Sequence, residues 1–200
     1  MSPRASLFWA ATGLVVLIEL AALALMLRPS VDPAYRAYYI DKTSDCWPHR
    51  TAAAYKLGTR LSFTVPPDGP EFTPNKICGW FYPDAGGTWS YGRFSRLAFV
   101  FPPADLPLRL TIEAAAMVDP AHPRQAVVVA ANGQEVGTLV FESATPTAQH
   151  LMLPPAFAAT GRIDLRLDYP DARPGTAMSP NADPHLRAIR VVALTLLPVS

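Results

Sequence analysis

The sequence predicts an all-β domain, a two-sheet β-sandwich or jelly roll, preceded by one N-terminal transmembrane helix. Three observations predict it. After residue 60 several runs alternate apolar and polar residues with a period of two, as a half-buried strand requires, and no helical period persists there. Proline, at 22 of 200 residues, is spread along the chain and disfavours long helices and central strands, which leaves short strands joined by fixed turns. Ahead of this region stands one long apolar run, Leu7–Leu27, "LFWAATGLVVLIELAALALML".

That run has 21 residues and a single formal charge, Glu19. At the helical rise it reaches about 30 Å, enough to span a bilayer. A transmembrane anchor is therefore expected over residues 1–28. A cleaved signal peptide is the competing reading, with Ala22-Leu23-Ala24 as its small-x-small site, but the apolar run continues to Leu27. Glu19 is costly in lipid and would be protonated or would face another helix, which makes it a candidate contact with a larger membrane partner. Orientation is weakly signalled, because Arg28, Arg36 and Lys42 on the far side oppose export of the C-terminal part.

Residues 29–57 read as a stalk and lead-in. Pro29, Pro33 and several tyrosines stand in "RPSVDPAYRAYY", and Ala52–Gly58 is either a helical turn or a strand lead-in. The sandwich is expected over 58–200. "LSFTV" (Leu61–Val65) and "RFSRLAFVF" (Arg93–Phe101) each stop at a proline pair. "LRLTIEA" (Leu108–Ala114) and "IDLRLD" (Ile163–Asp168) alternate cleanly. In "QAVVVAANGQEVGTLVF", Asn132-Gly133 separates two strand-like runs. Both residues tolerate positive φ, so a two-residue hairpin is expected. "QHLML" (Gln149–Leu153) adds a strand, and "IRVVALTLL" (Ile189–Leu197), apolar on both faces, suits a central or covered position. Two facing sheets bury the apolar faces that one sheet would leave wet.

Setting aside Arg4, Arg28 and Glu19 from 17 basic and 16 acidic residues leaves 15 of each. A neutral domain lacks the concentrated positive field that nucleic acid needs. Cys46 and Cys78 are the only cysteines and read as a disulfide in an exported domain; two free thiols in a reducing compartment are the alternative. There is no CxxC, and His49 alone stands near either cysteine, so no zinc site is expected. GxSxG, Walker, HExxH and dinucleotide motifs are missing, and no cofactor is expected.

Two regions carry the candidate chemistry. Gly79–Gly92, "GWFYPDAGGTWSYG", gathers aromatic rings around a tight Pro-Asp and Gly-Gly loop. Trp80, Tyr82, Trp89 and Tyr91 are candidate ligand contacts, since aromatic rings stack on the apolar faces of sugars, and equally candidate core residues. Trp89 is expected to be the buried one, with Trp80, Tyr82 or Tyr91 more accessible. The long loop Asp168–Arg190 supplies Asp168, Asp171, Asp183, His185, Arg187 and Arg190. Its carboxylates fit acid–base work on a glycoside, a calcium ion, or simply Asx turns and ion pairs.

The run "GW…GGTWSYG…SRLAFVFP", then "ANGQEVGTLVF", then "DYPDARPGTAMSPNADPHLRAI", resembles a β-sandwich domain of bacterial envelope proteins. That domain is attached to membrane glycosyltransferases and related polysaccharide-assembly enzymes. Gly79, Trp80, Gly87, Trp89, Ser90, Asn132, Gly133 and Asp183 match its pattern, and Asp84 stands where the family often has glutamate. Asp183 to Arg187 is longer than usual, and Ala188-Ile189 replaces Leu-Gly. The resemblance implies a sandwich in the bacterial inner membrane's periplasmic face and adds Asp183 to the candidate ligand residues.

Together these readings give a single-pass, membrane-anchored, non-catalytic accessory subunit of an envelope glycan-assembly complex. Its expected partners are a larger membrane protein such as a glycosyltransferase, a glycan and the membrane, with no nucleic acid. A protein–protein interaction module and a glycan-modifying enzyme are the alternatives.

Overall fold

The computed structural model describes residues 3–26, 31, 35–40, 46, 51–177, 179, 181 and 183–199. The chain divides into two compact units, Met1–Ser44 and Asp45–Ser200.

The first unit holds α1 (Pro3–Met26) and a π-helical turn, Arg36–Ile40, beside which Tyr35 and Tyr39 stack one turn apart with ring centroids 4.5 Å apart. Among the described residues no helix is long and apolar enough to cross a membrane. This corrects the expected transmembrane helix over 1–28, and with it the single-pass inner-membrane location, the periplasmic placement and the membrane-anchored accessory role. Glu19 lies exposed within α1, and the membrane-partner contact expected there has no spanning helix behind it. The stalk falls partly outside the described residues, as does His49.

The second unit is all-β but for short helical turns. One sheet has the order β1 (Ala53–Ala54), β5 (Phe94–Val100), β10 (Arg162–Asp168), β7 (Gln125–Ala131), β8 (Gln134–Phe141), with β3 (Lys76–Cys78) also on β5. The other runs β2 (Arg60–Ser62), β13 (Ile189–Pro198), β6 (Leu108–Ala116), β9 (Thr147–Leu153), with β4 (Thr88–Trp89) also on β13. A ribbon of β11 (Arg173–Pro174) and β12 (Leu186–Arg187) stands apart from both sheets, and α2 (Pro155–Ala159) links β9 to β10.

The period-two runs face one another across the core. Leu108, Leu110 and Ile112 of β6 meet Ile163, Leu165 and Leu167 of β10 and Val127 and Val129 of β7 in one buried cluster. β13 explains its own two-sided apolar pattern. A register shift between Val191 and Ala193 changes the parity, so Ile189 and Val191 point inward before it and Leu194 and Leu196 after it. The β7–β8 turn has Asn132 at φ 50° and Gly133 at φ 83°, which the Asn-Gly pair accommodates.

Cys46 and Cys78 form a disulfide, with Cα atoms 4.7 Å apart. It packs with Ile77 and Ala98 in a separate buried cluster. A bond of this kind persists where thiols are oxidised.

Candidate functional site

The stretch from Gly79 to Tyr91 folds back on itself. Tyr91 N donates to Gly79 O at 2.8 Å, Phe81 N to Trp89 O at 3.0 Å, and Asp84 N to Gly87 O at 3.0 Å. At the tip the Asp84 carboxylate accepts from Gly86 N at 2.7 Å, an Asx turn that fixes the reversal. Strand alternation then sorts the side chains. Trp80 and Ser90 pair across the ribbon and are both buried; Phe81, Trp89 and Tyr91 are only partly buried.

This ordering reverses the expectation for the two tryptophans. Trp80 is 5% exposed and belongs to the core, packed against Phe63 and Phe72, with Nε1 donating to Arg96 O at 3.1 Å. Trp89 is the more accessible. The residue types are the same at both positions, and only the parity set by the Trp80–Ser90 pairing separates them. Tyr82 is 89% exposed, and Lys76 Nζ lies 5.8 Å from its ring centroid.

The late loop is laid against this ribbon by three hydrogen bonds. Gly92 N donates to Leu186 O at 2.9 Å, Ser90 N to Ile189 O at 2.9 Å, and Ala188 N to Ser90 Oγ at 2.9 Å. Ser90 is fully buried and acts as a tie between segments, not as a nucleophile.

The side chains brought together form an aromatic and cationic face. Phe81 and Tyr91 meet edge to face at 4.8 Å, and His185 lies 4.6 Å from Tyr91. The Arg187 guanidinium sits over Phe81 at 4.3 Å. Arg187 and Arg190 each lie 5.9 Å from the Trp89 ring centroid, and Arg190 Nε donates to Gly86 O at 2.9 Å. Cation–π contacts of this kind hold an arginine in place without neutralising it. Asp183 accepts from the His185 amide at 2.8 Å and pairs with the His185 ring. Those two bonds, with Arg187 adding a smaller attraction, hold the Asp183 carboxyl below the usual range.

Of the sequence-derived candidates, the fold therefore joins Trp89 and Tyr91 with the Asp183 loop. It leaves Trp80 in the core and gives Tyr82 no ring neighbour among the described contacts. Phe81, His185, Arg187 and Arg190 complete the face. Phe81 carries a usable signal, since it is aromatic and one residue out of phase with Trp80.

The other carboxylates of the late loop do not converge. Arg166 holds Asp168 at 2.6–2.9 Å, and Asp171 accepts from Ala126 N at 3.0 Å. Among the described residues, Asp168 and Asp171 are engaged separately, with no shared hydrogen-bond partner between them or with Asp183. Among the described residues no three His, Cys, Asp or Glu side chains gather to hold a metal ion.

Two concavities lie elsewhere. One, about 390 Å³, is bordered by His122–Gln125 and Pro170–Arg173. The other, about 910 Å³, is an open apolar groove along Ala54–Leu57 and Val100–Ala104. Neither is lined by the residues of the aromatic face.

No family model matches the chain, and no curated protein matches its sequence. Solved structures of similar fold exist. One is the CBM36-1 domain of a multidomain xylanase from the hindgut metagenome of Trinervitermes trinervoides, at 15% identity and TM-score 0.40, covering 58% of this chain and 81% of that one. A carbohydrate-binding module CBM36 in complex with calcium and xylotriose gives 18% and 0.38, over 55% and 79%. A family 35 carbohydrate-binding module from Clostridium thermocellum gives 13% and 0.35, over 60% and 87%. The likeness is thus to sandwiches of the carbohydrate-binding-module kind, and not specifically to one attached to a glycosyltransferase. At these identities and TM-scores the likeness carries no argument about ligand or role.

Proposed function

We propose that the second unit is a non-catalytic binding module whose ligand is a saccharide, held on the face made by Phe81, Tyr91, Trp89, His185 and Arg187. The observation that carries this reading is the meeting of two distant segments around partly exposed rings. Phe81 and Tyr91 stand 4.8 Å apart at the surface while Trp80, one position away, serves the core. A ring face supplies apolar contact to the C–H side of a sugar. His185 and the arginines at its rim supply donors for hydroxyl groups, so a few polar groups fix the orientation of an apolar contact.

The test is binding of the full chain to an array of oligosaccharides, followed by titration of the best ligand into Tyr91→Ala. Loss of roughly tenfold or more in affinity, equivalent to about 1.4 kcal/mol, is expected. If no saccharide binds the unchanged chain, the reading as a protein–protein interaction module takes its place.

A further inference from the structure

We infer that the saccharide on this face carries an anionic group, a carboxylate or a sulfate, which Arg187 and Arg190 receive. This rests on the saccharide reading and names the class of ligand within it.

Five described arginines are partly buried: Arg60, Arg96, Arg173, Arg187 and Arg190. Three of them have a carboxylate partner. Arg60 pairs with Asp68 and Glu113, Arg96 with Asp164, and Arg173 with Asp119. Arg187 and Arg190 have none among the described residues, and both lie on the candidate face. Arg93, Arg109, Arg124 and Arg162, which also lack a carboxylate partner among the described residues, are exposed. A guanidinium drawn partly out of water without a carboxylate in ion-pair contact is costly, and this domain avoids that cost wherever no aromatic face is involved.

The surroundings sharpen the point. Asp183 attracts Arg187 from beyond ion-pair contact, and its carboxylate is already bound by His185. Arg187 Nε is buried and without a hydrogen-bond partner, while the cation rests over Phe81. An aromatic ring attracts the positive charge but accepts no N–H bond in the plane of the fork. Arg190 spends Nε on Gly86 O, and its other donors are not engaged by any described acceptor. Lys76, which donates to Trp80 O at 3.0 Å, adds a further positive charge behind the ribbon. Two planar forks held about one ring, with Arg187 and the Nη groups of Arg190 given no hydrogen-bond acceptor among the described residues, match the bidentate recognition of an anionic oxygen pair.

The experiment compares acidic saccharides with their neutral counterparts on the full chain by titration calorimetry. The probes are an oligogalacturonide and its methyl ester, a glucuronate-terminated and a glucose-terminated oligosaccharide, and dextran sulfate and dextran. At least one acidic probe is expected to bind tenfold or more above its neutral partner. Arg187→Gln and Arg190→Gln should each remove that preference, with unfolding midpoints confirming the fold, and Tyr91→Ala should weaken both members of the pair. Preference for the carboxylates or for dextran sulfate identifies the anion, and either supports the inference. Equal binding of acidic and neutral partners overturns it and leaves the saccharide reading in place. Equal loss of the preference in Arg124→Gln, far from the face, would show unspecific charge attraction and also overturn it. Binding of no probe overturns both readings.

Discussion

Ser90 Oγ accepts the Ala188 amide at 2.9 Å, a buried hydrogen bond between residues 98 positions apart. With the Gly92–Leu186 and Ser90–Ile189 backbone bonds, it fixes the late loop on the aromatic ribbon and so helps to hold the candidate face in register. Ser90→Ala would strand a buried amide, at an expected cost of about 1–3 kcal/mol. Urea unfolding checks it: the midpoint should fall with the slope unchanged.

Trp80 and Tyr91 should separate stability from binding. Trp80→Ala removes a large core side chain, and the expected loss is about 3–5 kcal/mol of stability. Tyr91→Ala should change stability by less than about 1 kcal/mol, since partly exposed sites away from special features tolerate substitution. Paired unfolding and binding measurements on both variants decide the matter. A Trp80 variant of native stability that loses ligand would reverse the assignment of the two rings.

The Cys46–Cys78 bond closes a separation of 32 residues. Chain-entropy reasoning for a loop of that size gives a contribution of about 3.7 kcal/mol. Reduction, or Cys46→Ser with Cys78→Ser, should lower stability by roughly that amount. A thiol count on unreduced, denatured protein should find none.

Asp119 anchors the turn at Asp119–His122. Its carboxylate takes Arg173 Nη1 at 2.7 Å and the Ala121 and His122 amides at 2.9 Å each. The Arg173 bond first, then His122, lowers its pKa from 3.8 to about 2. A carboxyl depressed in the folded state contributes stability that is complete above its unfolded value, near 3.8, and is lost as pH falls toward 2. Asp119→Asn should therefore flatten the fall in unfolding temperature between pH 4 and pH 2. The group is exposed, so the effect should shrink in high salt.

Much of the sandwich was legible because its strands obey a period of two where one face is buried. Leu108–Ala114, Ile163–Asp168 and the Asn132-Gly133 hairpin are local statements, and local chemistry decides them. The parity change in Ile189–Pro198 was not legible, because a run apolar on both faces hides a bulge. The N-terminal apolar run showed the opposite failure. Its composition invited a membrane span, and among the described residues no helix meets the length and apolarity required.

The candidate site was half legible. Aromatic content marked Gly79–Gly92, but which tryptophan turns inward depends on pairing with Ser90, a relation visible only in the folded ribbon. The two unpaired arginines were in view as charges in a polar loop. Their meaning depended on burial and on the absence of a carboxylate partner, neither of which a sequence states.

The central claim is that the ligand lies across the junction of the ribbon and the late loop. The most direct measurement is amide chemical-shift mapping of the full chain titrated with the best-binding oligosaccharide. The account predicts the largest shifts at Phe81, Trp89, Tyr91, His185 and Arg187. Shifts confined to the groove at Ala54–Leu57 and Val100–Ala104, with the ribbon unmoved, would contradict it.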